Sequence, residues 1–400
     1  MLVTDQLPYP PRNGVTLPIY NYAIALRAQH ELTVCLLLDV NALPATEHLK
    51  ANEERFGTIP VVSMKRRRLI PRLFGELSGS EMFQHGWYPS GREQLGRFAG
   101  DALIVSPMSA VAKWRALRND RVQAFRTRIA AVSDCTTAEY YFRAKQNFGG
   151  VRYALKGLLD RLRSPTIGKI EAQLLTGYHH ILLQTRTDAL LMARLVSEEI
   201  ATRVTLVPNG IRSDLFHIEP TLESRLVVLV AELSGDYGPV VMWFVDRVWP
   251  KVMRAEPEWR LHIVGKGGTA RLQNAINRKE NISHTGFVED LCDLYRQAAI
   301  VVSPVFKGYG LINKTLEAMA AGVPVVGGST AFNGIPSFAN GKTGIACTTN
   351  AADEFADAIV SLAKDLARRK TIGDAGRQLV RDQFRWNFCT EKIERLLPTI

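Results

Sequence analysis

A chain-wide alternation of short apolar runs with amphipathic segments is the feature that most constrains the fold. The runs are rich in Val, Ile and Leu at consecutive positions, so both faces of each predicted strand must be buried. Strands of this kind form parallel sheets covered by helices, and we therefore predict an α/β fold. Strands are predicted over 31–38, 59–63, 102–106, 128–133, 180–184, 225–231, 259–265, 299–304 and 323–327, and helices over 17–29, 109–118, 239–255 and 351–369.

The length of the chain, 400 residues, exceeds one ordinary hydrophobic core and fits two domains. The segment "LVPNGI" (206–211) combines a strand with a turn signal, and we place the domain boundary there. The predicted domains are 1–207 and 208–385, followed by a helix over 386–400 that could return to the first domain. Doubly wound domains bind ligands at the carboxyl ends of their strands, so two that face one another would hold the active site in the cleft between them.

The net charge of +11 is concentrated in the first half of the chain, where residues 1–200 carry 26 Lys/Arg and 18 Asp/Glu. This excess indicates an anionic partner for the first domain, such as a membrane surface, a phosphorylated substrate or a nucleic acid. No basic motif interleaved with aromatic residues supports nucleic acid binding.

Cysteine usage and hydropathy indicate the compartment. The five cysteines are far apart and form no CxxC pair, which argues against a disulfide framework or a zinc site and favours a reducing cytosol. No apolar run approaches the roughly 20 residues of a membrane span, and the N-terminus lacks the apolar core of a signal peptide. We expect a cytoplasmic protein.

The stretch "GYGLINKTLEAMAAGVPVVGG" (308–328) joins a glycine loop, a charged helix start and an apolar strand. Gly308 and Gly310 leave the backbone free to pass close to a ligand. A helix beginning near Leu311 would offer unpaired N–H groups and the positive end of its dipole, which is a site for phosphate. Lys314 falls in the first helical turn, where its charge opposes the dipole and a bound anion would explain it.

Asn313 and Glu317 are four residues apart and share a face of this predicted helix. A carboxylate there can accept hydrogen bonds from two vicinal hydroxyls, as on a ribose. The stretch therefore predicts a phosphate-and-ribose site. The alternative interpretation is a glycine-rich turn and an ordinary helix, with Glu317 solvated.

The same stretch resembles the nucleotide-sugar signature of the group 1 glycosyltransferases (glycosyltransferase family 4-like), in the form found in sugar transferases of bacterial polysaccharide pathways. The resemblance implies a GT-B fold, in which two Rossmann-like doubly wound domains face each other across a cleft. Further segments that resemble the family are "LVPNGIRSDLF" (206–216), "WRLHIVGKGG" (259–268), "ISHTGFVEDLCDLYRQAAIVVSPV" (282–305) and, more weakly, "MLVTDQLPYPPRNG" at the start.

The resemblance implies roles for the matching residues. Glu317 would hold the ribose of the donor nucleotide, and the amides of Gly310 and Leu311 would meet its diphosphate. Phe287 and Val288 would border the base. The family retains the anomeric configuration and needs no metal bound by an Asp-x-Asp motif. No such motif is visible, so neither a metal nor another cofactor is expected.

Two positions depart from the family pattern. Tyr309 stands where many members have a glutamate that touches the donor sugar, and Glu232 stands where many have an arginine that grips the diphosphate. Lys307 and Lys314 would take over that charge, which makes them candidate catalytic residues. Their alternative interpretation is as surface lysines.

Candidates in the first domain are Gly14 and Asp134. The resemblance implies that Gly14 lets the N-terminal loop approach the transferred sugar. Asp134 follows the predicted strand 128–133, at the carboxyl end where ligands bind. It could orient or deprotonate an acceptor hydroxyl, and it could equally cap the helix predicted near 136–145.

The stretch "SMKRRRLIPRLFGEL" (63–77) interleaves five basic residues with leucine, isoleucine and phenylalanine between 65 and 74. One interpretation is a peripheral contact with an anionic membrane surface, and the other is a solvated loop.

The sequence thus predicts a retaining glycosyltransferase that moves a sugar from a nucleotide-sugar donor to a glycan or lipid-linked acceptor. We expect it in the cytoplasm, with peripheral contact to the membrane as an option. Two alternatives stay open: a non-catalytic nucleotide-sugar or glycan-binding protein of the same fold, and a sugar-nucleotide epimerase.

Overall fold

The computed structural model describes residues 1–11, 13–66, 87–89, 100–117, 125–145, 151–233, 237–306 and 308–398. Lys307 and residues 67–77 of the basic stretch lie outside the described residues, so the predictions made for them stay predictions. The chain divides into two compact units, one formed by Met1–Asn209 with Asn387–Ile400 and the other by Gly210–Trp386.

The first unit contains an eight-stranded sheet in the order β4-β3-β2-β1-β5-β6-β7-β8. Every neighbouring pair is parallel except β3 and β4. Its strands are β1 (Leu2–Thr4), β2 (Val34–Asp39), β3 (Val61–Arg66), β4 (Trp87–Pro89), β5 (Gly100–Val105), β6 (Phe125–Ser133), β7 (His180–Leu183) and β8 (Val204–Leu206). Its helices are α1 (Thr16–Gln29), α2 (Thr46–Phe56), α3 (Met108–Ala116), α4 (Thr136–Lys145), α5 (Val151–Leu175), α6 (Arg186–Leu195) and α7 (Glu198–Ala201).

The second unit contains a six-stranded parallel sheet in the order β11-β10-β9-β12-β13-β14. Its strands are β9 (Leu226–Val230), β10 (Arg260–Val264), β11 (Ile282–Thr285), β12 (Ile300–Ser303), β13 (Val325–Gly328) and β14 (Ile345–Cys347). Its helices are α8 (Tyr237–Trp243), α9 (Trp249–Ala255), α10 (Ala270–Asn277), α11 (Cys292–Gln297), α12 (Asn313–Ala320), α13 (Ala352–Lys364) and α14 (Leu366–Gln383), and α15 (Trp386–Glu394) follows.

Burial on both faces of the central strands confirms the predicted α/β class. In β9, Val227 and Leu229 belong to one hydrophobic cluster, whereas Val228 belongs to another together with Val301 of β12. Successive side chains of a strand point to opposite faces, so each face of the sheet has its own core. Among the helices that the structure describes, none combines the length and the apolar composition needed to span a lipid bilayer.

Several element boundaries differ from the sequence prediction. The helix predicted over 239–255 contains a π-helical turn at Phe244–Val248, and that predicted over 351–369 is two helices. Asp365 separates them, because it adopts an extended conformation and its side chain accepts a 2.8 Å hydrogen bond from the amide of Arg368. The strand placed within 206–211 lies earlier, at Val204–Leu206.

A buried carboxylate fixes α5 against the start of α4. Glu171 is fully buried and accepts hydrogen bonds from the amides of Thr136 (2.9 Å) and Thr137 (2.8 Å) and from the Thr137 hydroxyl (2.5 Å). It therefore satisfies two N–H groups that would otherwise be unpaired at a helix N-terminus. Burial raises the pKa of Glu171, although the hydrogen bonds from Thr137 and Thr136 oppose this shift.

We expect Glu171→Ala to lower the free energy of unfolding by about 2 kcal/mol or more, because each buried donor left unpaired costs about 1–3 kcal/mol. The native state binds the carboxyl proton more tightly than the unfolded chain does. The contribution of Glu171 should therefore decline as pH rises from the ordinary value of 4.5 through the raised native pKa.

Urea denaturation at several pH values measures both effects. Glu54→Ala is the matched control, because Glu54 is exposed on α2. Equal stability of the two variants would contradict the assigned role of Glu171.

Candidate functional site

The strand order of the second sheet reverses between β9 and β12. The chain runs outward from β9 through β10 to β11, then returns to place β12 on the other side of β9. Connections leave these two central strands in opposite directions, which opens a crevice at their carboxyl ends. The described segments that border it are residues 231–233 after β9 and 304–306 with 308–312 after β12, and we call the latter the glycine loop.

The glycine loop enters the crevice and leads directly into α12. Gly308 and Gly310 are both buried, and Gly310 has φ = 71°, a left-handed conformation that glycine adopts without strain. Leu311 and Ile312 are buried beside it. The helix predicted to begin near Leu311 begins two residues later, at Asn313.

The N-terminus of α12 is suited to an anion. Its N-cap residue, Ile312, supplies no side-chain hydrogen bond, and its first turn contains no acidic residue. The positive end of the helix dipole is therefore not offset by a local carboxylate at the cap. Amides in this arrangement can receive a phosphate group.

Packing on both sides holds α12 in place. The hydroxyls of Thr315 and Ser303 are 2.9 Å apart and buried, which joins the helix to the last residue of β12. Leu316 and Met319 are fully buried. After the helix, Gly322 has φ = 73°, and a Cβ atom at this position would collide with the guanidinium of Arg377.

Glu317 carries the main polar contacts of the crevice. Its two carboxylate oxygens lie 2.9 and 2.8 Å from the Lys314 Nζ, and Oε2 accepts a 3.2 Å hydrogen bond from the hydroxyl of Tyr295. The side chain of Glu317 is 16 % exposed and that of Lys314 is 45 % exposed. Lys314 therefore has a local partner, so its place in the first turn does not by itself require a bound anion.

Tyr295 is a site residue that the sequence analysis missed. It lies on α11, is fully buried, and positions the carboxylate of Glu317 through the hydrogen bond from its hydroxyl. Burial raises the pKa of Tyr295 well above 10, and the charge of Glu317 and the hydrogen bond to it act in the same direction. The phenol is therefore neutral at neutral pH and acts as a donor. The available signal was a tyrosine within the "CDLYRQ" segment, where Asp293 and Arg296 are charged.

Phe287 and Val288 follow β11, the edge strand of the sheet. Phe287 is 63 % exposed, whereas Val288 is partly buried and packs against the cluster that contains Tyr295, Leu311 and Leu316. The structure thus brings Val288 and the α12 region into one hydrophobic cluster and leaves the Phe287 ring open to solvent.

The loop after β10 contacts the segment after β9 and carries a further basic residue. Glu232, after β9, is exposed, and its neighbour Leu233 donates a 2.9 Å backbone hydrogen bond to the carbonyl of Lys266. Gly265 allows this approach, because a Cβ atom there would collide with the carbonyl of Ala231. The side chain of Lys266 is exposed. Lys266 is not among the basic residues predicted above for this role, which were Lys307 and Lys314.

In the first unit, Asp134 follows an irregularity at the end of β6. The pairing with β7 shifts register between Ala131 and Ser133, and Ser133 has φ = 68°, a strained conformation for a residue other than glycine. The amides of Thr136 and Thr137 at the start of α4 donate to Glu171.

Gly14 is exposed in the connection between β1 and α1. Its neighbour Asn13 shapes this turn, because the Asn13 Oδ1 accepts 2.9 Å hydrogen bonds from the amides of Val15 and Thr16. Within the described part of the chain, no group of three or more His, Cys, Asp or Glu residues is placed to hold a metal ion.

The two Rossmann-like sheets match the GT-B fold. Solved structures of similar fold include Anabaena HepE in complex with UDP and glucose, with a TM-score of 0.67 and 15% identity over 98% of both chains. Sucrose-phosphate synthase from Thermosynechococcus elongatus has a TM-score of 0.66 and 18% identity, covering 99% of this chain and 97% of that one. At these identities the likeness shows the fold alone.

Within the second unit, residues 224–365 match the family model of the group 1 glycosyl transferases. A GDP-mannose-dependent alpha-(1-6)-phosphatidylinositol monomannoside mannosyltransferase of Mycobacterium tuberculosis is 37% identical over 49% of this chain and 56% of its own length. A D-inositol 3-phosphate glycosyltransferase of Corynebacterium aurimucosum is 29% identical over 44% and 43%. The chain thus spans about half the length of these curated relatives.

We expect Tyr295→Phe to lower the free energy of unfolding by about 0.5–1.5 kcal/mol, because it leaves a partly buried carboxylate without its fixed donor. Lys314→Ala should cost less, about 0.5 kcal/mol or below, because the Lys314 side chain is nearly half exposed and ion pairs three residues apart on a helix contribute little. Urea denaturation of both variants measures the difference. A larger loss for Lys314→Ala would show that the ion pair, rather than Tyr295, holds Glu317.

Proposed function

We propose that this protein is a retaining glycosyltransferase that moves a sugar from a nucleotide-sugar donor to a glycan or lipid-linked acceptor. The observation that carries the proposal is the glycine loop at the β9–β12 crevice. It leads into a helix that starts, without a side-chain cap, four residues before Glu317, whose carboxylate accepts a hydrogen bond from Tyr295. Phosphate and ribose groups of one nucleotide fit these two features at this spacing.

Donor binding would exchange the contacts of Glu317. The ribose hydroxyls would donate to its carboxylate, while Lys314, which is nearly half exposed, would turn from Glu317 to the donor phosphates. Each charged group then keeps a partner, so neither is left buried and unpaired. The diphosphate would lie against the amides of Gly310 and Leu311 and the dipole of α12.

In the transfer step, the bond between the anomeric carbon and the diphosphate oxygen breaks, and a bond to the acceptor oxygen forms on the same face of the sugar. The acceptor proton passes to a base, for which we propose Asp134. Negative charge grows on the departing nucleotide diphosphate, and Lys314, Lys266 and the α12 amides would stabilise it. Lys307 stays a candidate for the same role, and neither a metal nor another cofactor enters this scheme.

The names of the relatives support the substrate class. Those relatives are GDP-mannose-dependent and inositol-directed glycosyltransferases, and the HepE structure contains UDP and glucose. For the present chain, the nucleotide-sugar donor and the inositol- or lipid-linked acceptor are inferences from these names and from the crevice.

A thermal-shift screen against nucleotides and nucleotide sugars tests the proposal first, because a ligand that binds only the folded state raises the melting temperature. The stabilising donor is then incubated with candidate acceptors, and NMR of the product reports the anomeric configuration. Transfer with retention supports the proposal. Binding without transfer would favour the non-catalytic alternative, which Tyr309 and Glu232 motivate, and isomerisation of the free donor would favour an epimerase.

We expect Glu317→Ala to weaken nucleotide-sugar binding by about 1.5–3 kcal/mol, or roughly tenfold to more than a hundredfold, because hydrogen bonds from the ribose to a charged group are lost. Isothermal titration calorimetry measures the change. Glu280→Ala is the control, since Glu280 is exposed just before β11, at the amino ends of the strands, whereas the crevice lies at their carboxyl ends. Unchanged affinity in Glu317→Ala would refute the ribose assignment.

We expect Lys266→Ala and Lys314→Ala to lower kcat by about tenfold or more while changing donor affinity less, because the charge that they stabilise is greatest in the transition state. Initial-rate kinetics at varied donor concentration separate the two effects. Lys370→Ala, at an exposed position of α14, is the control. If Lys266→Ala matches this control, the cation for the diphosphate comes from elsewhere.

A further inference from the structure

The outer face of α5 exposes a stripe of leucines. Leu155, Leu158, Leu159 and Leu162 are 57 %, 55 %, 43 % and 68 % exposed, and their spacing places them on one side of the helix. We call these four residues the leucine stripe. Apolar residues in this pattern normally face the core of a soluble protein.

The inner face of the same helix segment is small and polar. Behind the leucine stripe Gly157, Asp160 and Ser164 are buried, although these residue types bury little apolar surface, and the buried apolar Ile167 lies beyond the stripe. The usual amphipathic arrangement is therefore reversed along this part of α5. A reversed helix exposes apolar area of the kind that marks an interaction site.

Two contacts prevent α5 from turning the leucine stripe inward. A Cβ atom at Gly168 would collide with the carbonyl of Leu195 at the end of α6, so the two backbones are in close contact there. Three residues further along, Glu171 holds the start of α4 through three hydrogen bonds. Both contacts use the inner face, so the stripe faces outward as long as they persist.

Charges around the leucine stripe are basic. At 100° per residue, Arg161 and Arg163 lie on opposite sides of the stripe, and Lys169 continues it towards the end of the helix. Arg161 and Lys169 are exposed and Arg163 is partly exposed. The acidic residues of α5, Asp160 and Glu171, are buried on the inner face. The described outer face therefore combines leucine side chains with positive charge alone.

We propose that the leucine stripe docks the first unit onto the surface of an anionic lipid bilayer. A helix that lies in the membrane interface buries an apolar face among the acyl chains and keeps basic residues at the level of the anionic headgroups, which is the composition of this face. A second copy of the chain fits less well, because a two-fold contact through the stripe would bring like charges together. The proposal extends the function proposed above, since a lipid-linked acceptor lies at such a surface, but its test requires no turnover.

Vesicle flotation of the full chain tests the proposal. The probes are vesicles of phosphatidylcholine mixed with phosphatidylglycerol and vesicles of phosphatidylcholine alone, at low and high salt. We expect binding to the anionic vesicles that weakens with salt, because exposed charges are screened. L158Q/L162Q should lower the bound fraction by about tenfold or more, since the penetrating side chains become polar. L43Q/L366Q, which removes two exposed leucines from other parts of the chain, should bind as the wild type does.

A second variant, R161E/K169E, keeps the leucines and reverses charge, and it decides the question if L158Q/L162Q does not fold. It should lose binding to the anionic vesicles. The proposal is overturned if the wild type binds neither kind of vesicle, or if the stripe variant binds as well as the wild type. It is also overturned if analytical ultracentrifugation shows a dimer that L158Q/L162Q converts to a monomer, because a second copy would then cover the stripe. Thermal-shift response to the donor reports the proposed function separately from all these outcomes.

Discussion

The candidate site depends on the burial of β9 and β12 on both faces. Side chains of these strands serve the two cores, so they leave no room for polar chemistry on the surfaces of the sheet. Polar and flexible residues are restricted to the carboxyl edge, where the strand order reverses and a crevice must open. The glycine loop can enter that crevice only because Gly310 tolerates a left-handed conformation. The position of α12, and hence of Glu317, follows from that path.

Within the crevice, Tyr295 determines how Glu317 can act. A carboxylate that is 16 % exposed needs strong partners, and the buried phenol provides one that does not move with the ligand. Lys314 is the exchangeable partner, because its side chain is nearly half exposed and belongs to the same helix. One fixed and one exchangeable donor keep the carboxylate oriented before a nucleotide arrives. Such preorganisation reduces the cost of binding.

The strongly apolar strands could be predicted from the sequence, because a short run of consecutive apolar residues indicates a strand that is buried on both faces. The prediction over 225–231 contains the strand Leu226–Val230, and that over 299–304 contains Ile300–Ser303. Three-residue edge strands such as Ile345–Cys347 are too short to show a hydrophobic pattern from which a strand could be predicted. The glycine loop and Glu317 could be located because they share one continuous stretch. Tyr295 and Lys266 could not be located in this way, because they lie on separate elements of the chain. The Lys314–Glu317 ion pair also corrects the argument that Lys314 indicates a bound anion, because that argument considered only the helix dipole.

Helix α5 shows where periodicity alone stops being informative. The leucine spacing along residues 155–162 is typical of a helix, and the usual rule would then turn the leucines towards the core. The rule assumes that the larger apolar face is the one that packs. Here Gly168 and Glu171 decide otherwise, because the close approach to Leu195 and the hydrogen bonds to Thr136 and Thr137 are possible only from the opposite face. A few short-range steric and polar contacts at one end thus fix the rotation of the whole helix, and the exposed leucines are a consequence of that rotation.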